Sequence, residues 1–436
     1  MESLAHTPIN IRAGSAIPLR RVLGLVEITA GGVGIIIGAG IYVLLGAATA
    51  EAGALVWIAF LAAAVLSLLT GLSYAELSSM FPSAAGEYEY TRQAMPDWLA
   101  FVVGWTMIVG LVVAAATVSI GFARYVGYFV DVDGRIASLA LLVFVSAVGM
   151  LGVKHSARLT VGLSAVQVGG LLLVAAIGLP HVGDVDLFSG RGLGGVLSAA
   201  ALVFFAFIGF DEVITLAEET RDPSRTVPRA LLLALGLSTA LYVAVAIGAV
   251  SVLGAGPLAA SPRPLADVMA HVLGDHGATV VAVIAVLTTT NTTLLALTAA
   301  SRVTYGMARA GAMPPTFAIV HPRRRTPIPA VLAVGGVAIA FAGVGDFAMI
   351  AAVTDFAVYV VFLAVNATVI ILRRTHPELH RPFAVGGTIA GVPVLPLLGF
   401  ASVALMMTQL ELRAIGVGSA ACAVGLAVGW LVRARK

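Results

Sequence analysis

At 436 residues, 60% of them hydrophobic and only 11% charged, with a mean hydropathy of +1.03, the chain lies far from soluble domains, where about half the residues are apolar and about a quarter charged. It reads as an integral membrane protein, and its pI of about 9.2 points to arginine-rich loops at a lipid surface rather than to a nucleic-acid partner. The one cysteine, Cys422, excludes a disulfide framework and a cysteine-based metal site.

Residues 1–17 are polar and mixed, and the first apolar segment is too long for a signal-peptide core, so 1–21 is expected to be a cytoplasmic tail. A spanning helix needs about 20 mainly apolar residues. Such stretches run 22–48, 53–75, 98–123, 136–153, 159–180, 193–216, 230–253, 277–300, 328–345, 347–372, 386–410 and 414–432. That predicts an all-α protein of about twelve transmembrane helices, with no sheet. With the N-terminus in the cytoplasm, 20 of the 25 Lys and Arg fall on the cytoplasmic side and five (Arg124, Arg135, Arg191, Arg263 and Arg413) on the other. By the positive-inside rule both termini, including 433–436, then face the cytoplasm.

The first span carries Gly31, Gly32, Gly34, Gly38 and Gly40. Each glycine costs about 1 kcal/mol against alanine inside a helix, so a break is expected at Gly34–Ile41. Unwound backbone in lipid is tolerated only where it is buried or lines a cavity. Span six holds a second candidate, Phe204–Phe210, around Gly209. Five spans separate the two, so the second half enters the membrane inverted. Interrupted helices at matching places of two inverted halves point to a secondary transporter's midplane site.

Further motifs follow in order: Ser73-Tyr74-Ala75-Glu76-Leu77 with Pro82 to Gly86; Phe207-Ile208-Gly209-Phe210 through Glu218-Glu219, Asp222-Pro223 and Val227 to Ala230; Ser301-Arg302 to Arg309 with Pro314-Pro315 and His321-Pro322; and Arg373-Arg374, Pro377 and Arg381-Pro382-Phe383. With Ile36 to Ile41, they make the chain resemble the amino acid–polyamine–organocation superfamily over nearly its whole length. The resemblance implies two inverted five-helix repeats, 22–180 and 193–372, with broken first and sixth helices, followed by peripheral helices in 386–432. It implies transport of amino acids or small amines across the plasma membrane, with no enzymatic activity and no cofactor. The backbone at Gly38, Ala39 and Gly40 would hold the substrate carboxylate. Carbonyls of Ile36, Ile37, Phe205, Ala206 and Ile208, beside Gly209, would take the amino group, and Phe205 would gate the site. Helix dipoles favour the same division, since a half-helix N-terminus is positive and presents free N–H groups.

Ionisable residues inside a span are costly and mark function by default. Here they are Glu27, Asp211, Glu212 and Asp355. Glu27 also fits an interfacial residue paired with a loop arginine. Asp211 and Glu212 are about 100° apart on a helix, so one of them at most faces the site, where burial would favour proton uptake near neutral pH. Some proton-coupled relatives carry a lysine in helix five where this chain has Gln167, which cannot titrate, although it can bond across helices one, five and eight. Thr288–Thr293 either line a sodium site or bond back to their own helix. Gly110 stands where the cationic-amino-acid branch often has an acidic residue.

Glu218 and Glu219 could pair with cytoplasmic arginines in an inward gate, while Arg323 to Arg325 fit lipid head-group contacts. The histidines are scattered mainly among loops and no metal site is expected of them, and no nucleotide loop or catalytic triad pattern is found. The coupling ion is expected to be H+ or Na+, and the protein a monomer or homodimer. An exchanger without ion coupling, or a sensor that binds without translocating, are the competing readings.

Overall fold

The computed structural model describes residues 23–434 apart from 82–85, 152–155, 212, 214–219, 323, 325, 345–346 and 390. The described helices are α1 (Leu25–Ile36), α2 (Gly40–Ala52), α3 (Val56–Met80), α4 (Gly86–Ala94), α5 (Asp97–Val126), α6 (Gly134–Leu151), α7 (Ser156–Gly178), α8 (Gly192–Val203), α9 (Pro223–Leu253), α10 (Ala255–Ala260), α11 (Pro264–Arg309), α12 (Ile328–Val344), α13 (Phe347–Thr375), α14 (Val394–Met407) and α15 (Leu412–Ala434).

Eight of these are long and apolar enough to cross a membrane, and α1 with α2 forms a further bent pair at 49°. Three shorter apolar helices, Gly192–Phe207, Ile328–Gly343 and Val394–Met407, fall in the remaining expected stretches. The molecule is an all-α, multi-pass membrane protein.

Two local expectations are corrected. A small antiparallel hairpin, β1 (Thr388–Ile389) on β2 (Val392–Pro393), occupies the start of stretch 386–410. Gly387 and Gly391 take positive φ there, so the chain turns back before Pro393 caps α14. Helix α11, at 46 residues, exceeds any bilayer thickness. It breaks at Gly274 (φ 67°), so its first arm belongs to the connection and the span begins near the expected 277.

The core lies where α5 packs on α11 and α13, and α3 on α9. The apolar window of α5 is 83% buried and that of α15 only 17%, which places α5 at the centre and leaves α15 facing lipid. Between them α4, short and polar, folds back against α5 and α13.

A candidate substrate site between two broken spans

Helix α1 ends at Ile36, and the chain runs non-helically through Ile37–Ala39 before α2 starts at Gly40. Helix α8 ends at Val203 and tightens into a 3-10 turn at Phe204–Phe207. Ile208 is then extended (ψ 135°) and Gly209 takes φ 112°, a region closed to residues with a Cβ. The two breaks touch. A Cβ at Gly40 would lie 2.5 Å from the Cα of Ala206, so glycine there lets backbone meet backbone.

One cavity, of about 60 Å³, lies against both breaks. Its wall includes Ile36, Gly38, Ala39 and Gly40 from the first break, and Phe205, Ala206, Ile208 and Gly209 from the second. Of the expected binding residues only Ile37 is absent from that wall; its side chain is buried in the core. Helix α5 contributes Leu111, Ala114 and Val118, and α11 contributes Asn291, Thr292, Leu295 and Ala296. No charged side chain among the described residues lines this cavity. The first N–H groups of α2 have no intrahelical acceptor and present a positive dipole end at Gly40.

Three polar side chains hold the breaks. The Ala39 N–H donates to Thr292 Oγ1 at 3.1 Å. The Tyr242 hydroxyl, from α9, lies 2.8 Å from the carbonyl oxygens of both Ile36 and Ala206. Gln167 Nε2 donates to the Gly34 carbonyl at 3.3 Å, tying α7 to α1, and the Gln167 backbone carbonyl accepts from Tyr42 at 3.0 Å. Of the hydroxyl run, Thr289, Thr290 and Thr293 bond back to their own helix, whereas Thr292 turns to the site. Tyr242 escaped sequence reasoning because an aromatic ring reads as apolar; its signal was a hydroxyl in mid-span.

The expected ionisable residues separate. Asp211 is buried outside the cavity wall, its Oδ1 accepting the Gly209 N–H at 3.1 Å. Asp355 is fully buried in α13, and neither carboxylate oxygen has a hydrogen-bond partner among the described residues. Glu27 is exposed and accepts the Gly24 N–H at 2.9 Å, capping α1, so it is no interior charge. Glu212, Glu218, Glu219, Arg323, Arg325 and the tail 1–21 lie outside the described residues. Gly110 sits against α13, where an added Cβ would be 3.3 Å from that of Ala357.

Two motifs far apart in sequence converge at the arginine-rich end. Buried Glu76 of α3 pairs with Arg373 of α13, whose Nε is 2.9 Å from Oε1. Arg381 approaches to 3.4 Å, and the Val385 N–H donates at 2.8 Å. Nearby on α4, burial and then the Asp211 charge push Glu87 up to about 7, against the hydrogen bond from Tyr74.

Two touching helix breaks with their dipoles, and a mainly apolar cavity against both, define a membrane transporter. The amino acid permease family profile matches residues 23–424, and the chain belongs to that family, within the amino acid–polyamine–organocation superfamily. It is 32% identical over 401 residues to a branched-chain amino acid permease of Bacillus subtilis, covering 87% of this chain and 85% of the other. It is 33% identical over 414 residues to an uncharacterized transporter of Mycobacterium tuberculosis (94% and 90% covered). It is also 30% identical over 436 residues to a methylthioribose transporter of Bacillus subtilis (95% and 93% covered).

Proposed function

We propose that the protein is a secondary active transporter of neutral, apolar amino acids across the cytoplasmic membrane. The observation that carries this reading is the cavity wall, which offers backbone dipoles at both breaks and mainly apolar side chains beside Asn291 and Thr292, with no charged side chain among the described residues. A zwitterion needs a donor set for its carboxylate and acceptors for its ammonium. The α2 N-terminus at Gly38–Gly40 would supply the first, chiefly through its N–H groups from Gly40 on because those of Gly38 and Ala39 donate to Ile36 and Thr292, and carbonyls around Ile36, Ile37, Phe205, Ala206 and Ile208 the second. Leu111, Ala114, Val118 and Leu295 would enclose an aliphatic side chain. An acidic partner for a lysine or arginine side chain is missing from the wall, in keeping with glycine at 110. The relative named a branched-chain amino acid permease supports the same class.

Alternating access would move the two halves about the breaks. In two inverted five-helix repeats, equivalent helices face one another across the pseudo-axis. The packing of α3 on α9 and of α5 on α11 agrees with that architecture. The orientation inferred from Lys and Arg puts the Glu76–Arg373 cluster on the cytoplasmic side. The coupling ion is H+ in our reading, with Na+ the other choice. Exchange without an ion is the second reading, favoured by Gln167, whose amide already occupies the α1–α7 junction.

Thermal-shift measurements on purified protein test the substrate class. Leucine, isoleucine or valine should raise the melting temperature, since ligand at 100 times Kd adds about 2.7 kcal/mol of stability. A shift only with lysine, arginine or polyamines would overturn the class.

A further inference from the structure

Two buried carboxylates lie within electrostatic reach of one another at the arginine-rich end of the bundle, with no salt bridge to either from a described residue. Glu87 comes from α4 and Asp211 from the residues just past the sixth-span break, and the Asp211 charge acts directly on Glu87. Tyr74 of α3 joins them. Its hydroxyl donates to Glu87 Oε1 at 3.0 Å, and its ring meets that of Phe210, the neighbour of Asp211, edge-on at 5.7 Å. Tyr90, on α4 itself, is fully buried beside Tyr74 with ring centres 6.4 Å apart. Its hydroxyl has no hydrogen-bond partner among the described residues and lies within electrostatic reach of Glu87.

These are the titratable groups that bear on Glu87 among the described residues. Helices α5 and α13 also pack on α4; of their charges, Arg124 lies over the Phe347 ring, Arg374 is exposed and Asp355 bears on Tyr359. Asp97 of α5 faces Arg92, which also reaches Glu89, on the outer side of α4. Arg373 of α13 is held by Glu76. Neither Glu87 nor Asp211 forms a salt bridge with a described residue.

Two like charges sharing a buried site cannot both ionise, so the pair retains a proton that belongs to neither residue alone. The single remaining negative charge has donors waiting: the Tyr74 hydroxyl at Glu87 and the Gly209 N–H at Asp211. The pair therefore fits one proton well and none badly. It also bridges a loop helix to the sixth-span break, which must move if access alternates.

We propose that Glu87 and Asp211 together bind one proton while this end of the molecule is sealed, and release it to water on the arginine-rich side when that end opens. This rests on the alternating-access reading above. Its sign follows from mass action. Acid on that side holds the proton in place and the end shut, and a rise in pH through the neutral range favours opening.

The test is exchange of labelled leucine in proteoliposomes, with equal pH on both faces, from about pH 5.5 to 8. Wild type should speed up as pH rises, by no more than about tenfold per pH unit for one proton. Glu87→Gln keeps an acceptor for Tyr74 but removes the shared acid, so its profile should be flat. Asp211→Asn should flatten it too, and the double variant should be no flatter than either single one. The leucine-induced thermal shift of Glu87→Gln, read on the same preparations, should equal that of wild type and shows that the variant is folded. A Glu87→Gln profile that follows wild type would overturn the shared proton while leaving transport intact. Wild type that exchanges no amino acid at any pH would instead remove the transport reading, and the proton gate with it.

Discussion

The Tyr242 hydroxyl lies 2.8 Å from the Ile36 carbonyl, at the last residue of α1, and equally close to the Ala206 carbonyl in the other break. One buried donor thus serves two carbonyls that the unwinding of two different spans leaves exposed. Tyr242→Phe removes that donor and keeps the ring that packs on Phe60 and Phe207. Stranding a buried polar group costs about 1–3 kcal/mol. The variant should melt earlier and transport more slowly, as read by thermal denaturation and initial uptake rates. Unchanged uptake would show that the breaks do not depend on this tie.

Thr292 is the one member of its hydroxyl run that reaches the first break, accepting the Ala39 N–H. Thr292→Val preserves shape and removes the acceptor. Losing one net hydrogen bond is worth about 0.5–1.5 kcal/mol, which corresponds to a rise in KM of roughly 2- to 13-fold. Thr290→Val, where the hydroxyl only bonds back to Val286, should leave KM unchanged. Uptake kinetics of the two variants side by side check the assignment.

Removing one partner from a buried ion pair leaves an uncompensated charge, at about 3–5 kcal/mol. Glu76→Gln should therefore destabilise the arginine-rich end, where Glu76 gathers Arg373, Arg381 and the Val385 N–H. Faster proteolysis or cysteine labelling near Val385 in the variant is the expected readout. Arg374→Gln, on the neighbouring exposed residue, should behave as wild type.

Glu87 also predicts a pH dependence of stability. Burial and the Asp211 charge push its pKa up from the ordinary 4.5 to about 7 in the folded protein. The folded state therefore binds the extra proton between those values. The contribution is complete below about pH 4.5 and is lost as pH rises through about 7. In wild type the melting temperature should fall across that window, and in Glu87→Gln the fall should shrink. Equal slopes for the two proteins would contradict the buried environment of Glu87.

Much of this was legible in the chain. Apolar stretches of about 20 residues announce spans whatever their partners, and glycines clustered at Gly34–Gly40 and around Gly209 announce breaks because helices disfavour them. Those signals are local. What escaped depends on partners distant in sequence: Tyr242 meets Ile36 across 206 residues, and Glu76 meets Arg373 across 297. Glu87 lies in a polar segment that reads as a solvated loop, yet α4 folds inward and buries it. Glu27 is the opposite case. Of its two readings, interior charge or interfacial residue, the structure leaves it exposed, and three residues of spacing to Gly24 make it a helix cap. The hairpin at Thr388–Pro393 hid inside an apolar run because Gly387 and Gly391 act through turn geometry rather than hydropathy.

Gly38 offers the most direct measurement of the backbone site. A Cβ there would already stand 3.3 Å from Thr292 Oγ1, and valine adds two methyl groups in the space meant for the substrate carboxylate. Overpacking of this kind costs about 1–3 kcal/mol. Uptake of labelled leucine by wild type and Gly38→Val in proteoliposomes should show saturable transport in the first and none in the second, at equal reconstituted amounts. Wild-type uptake by Gly38→Val would contradict a carboxylate site at the first break.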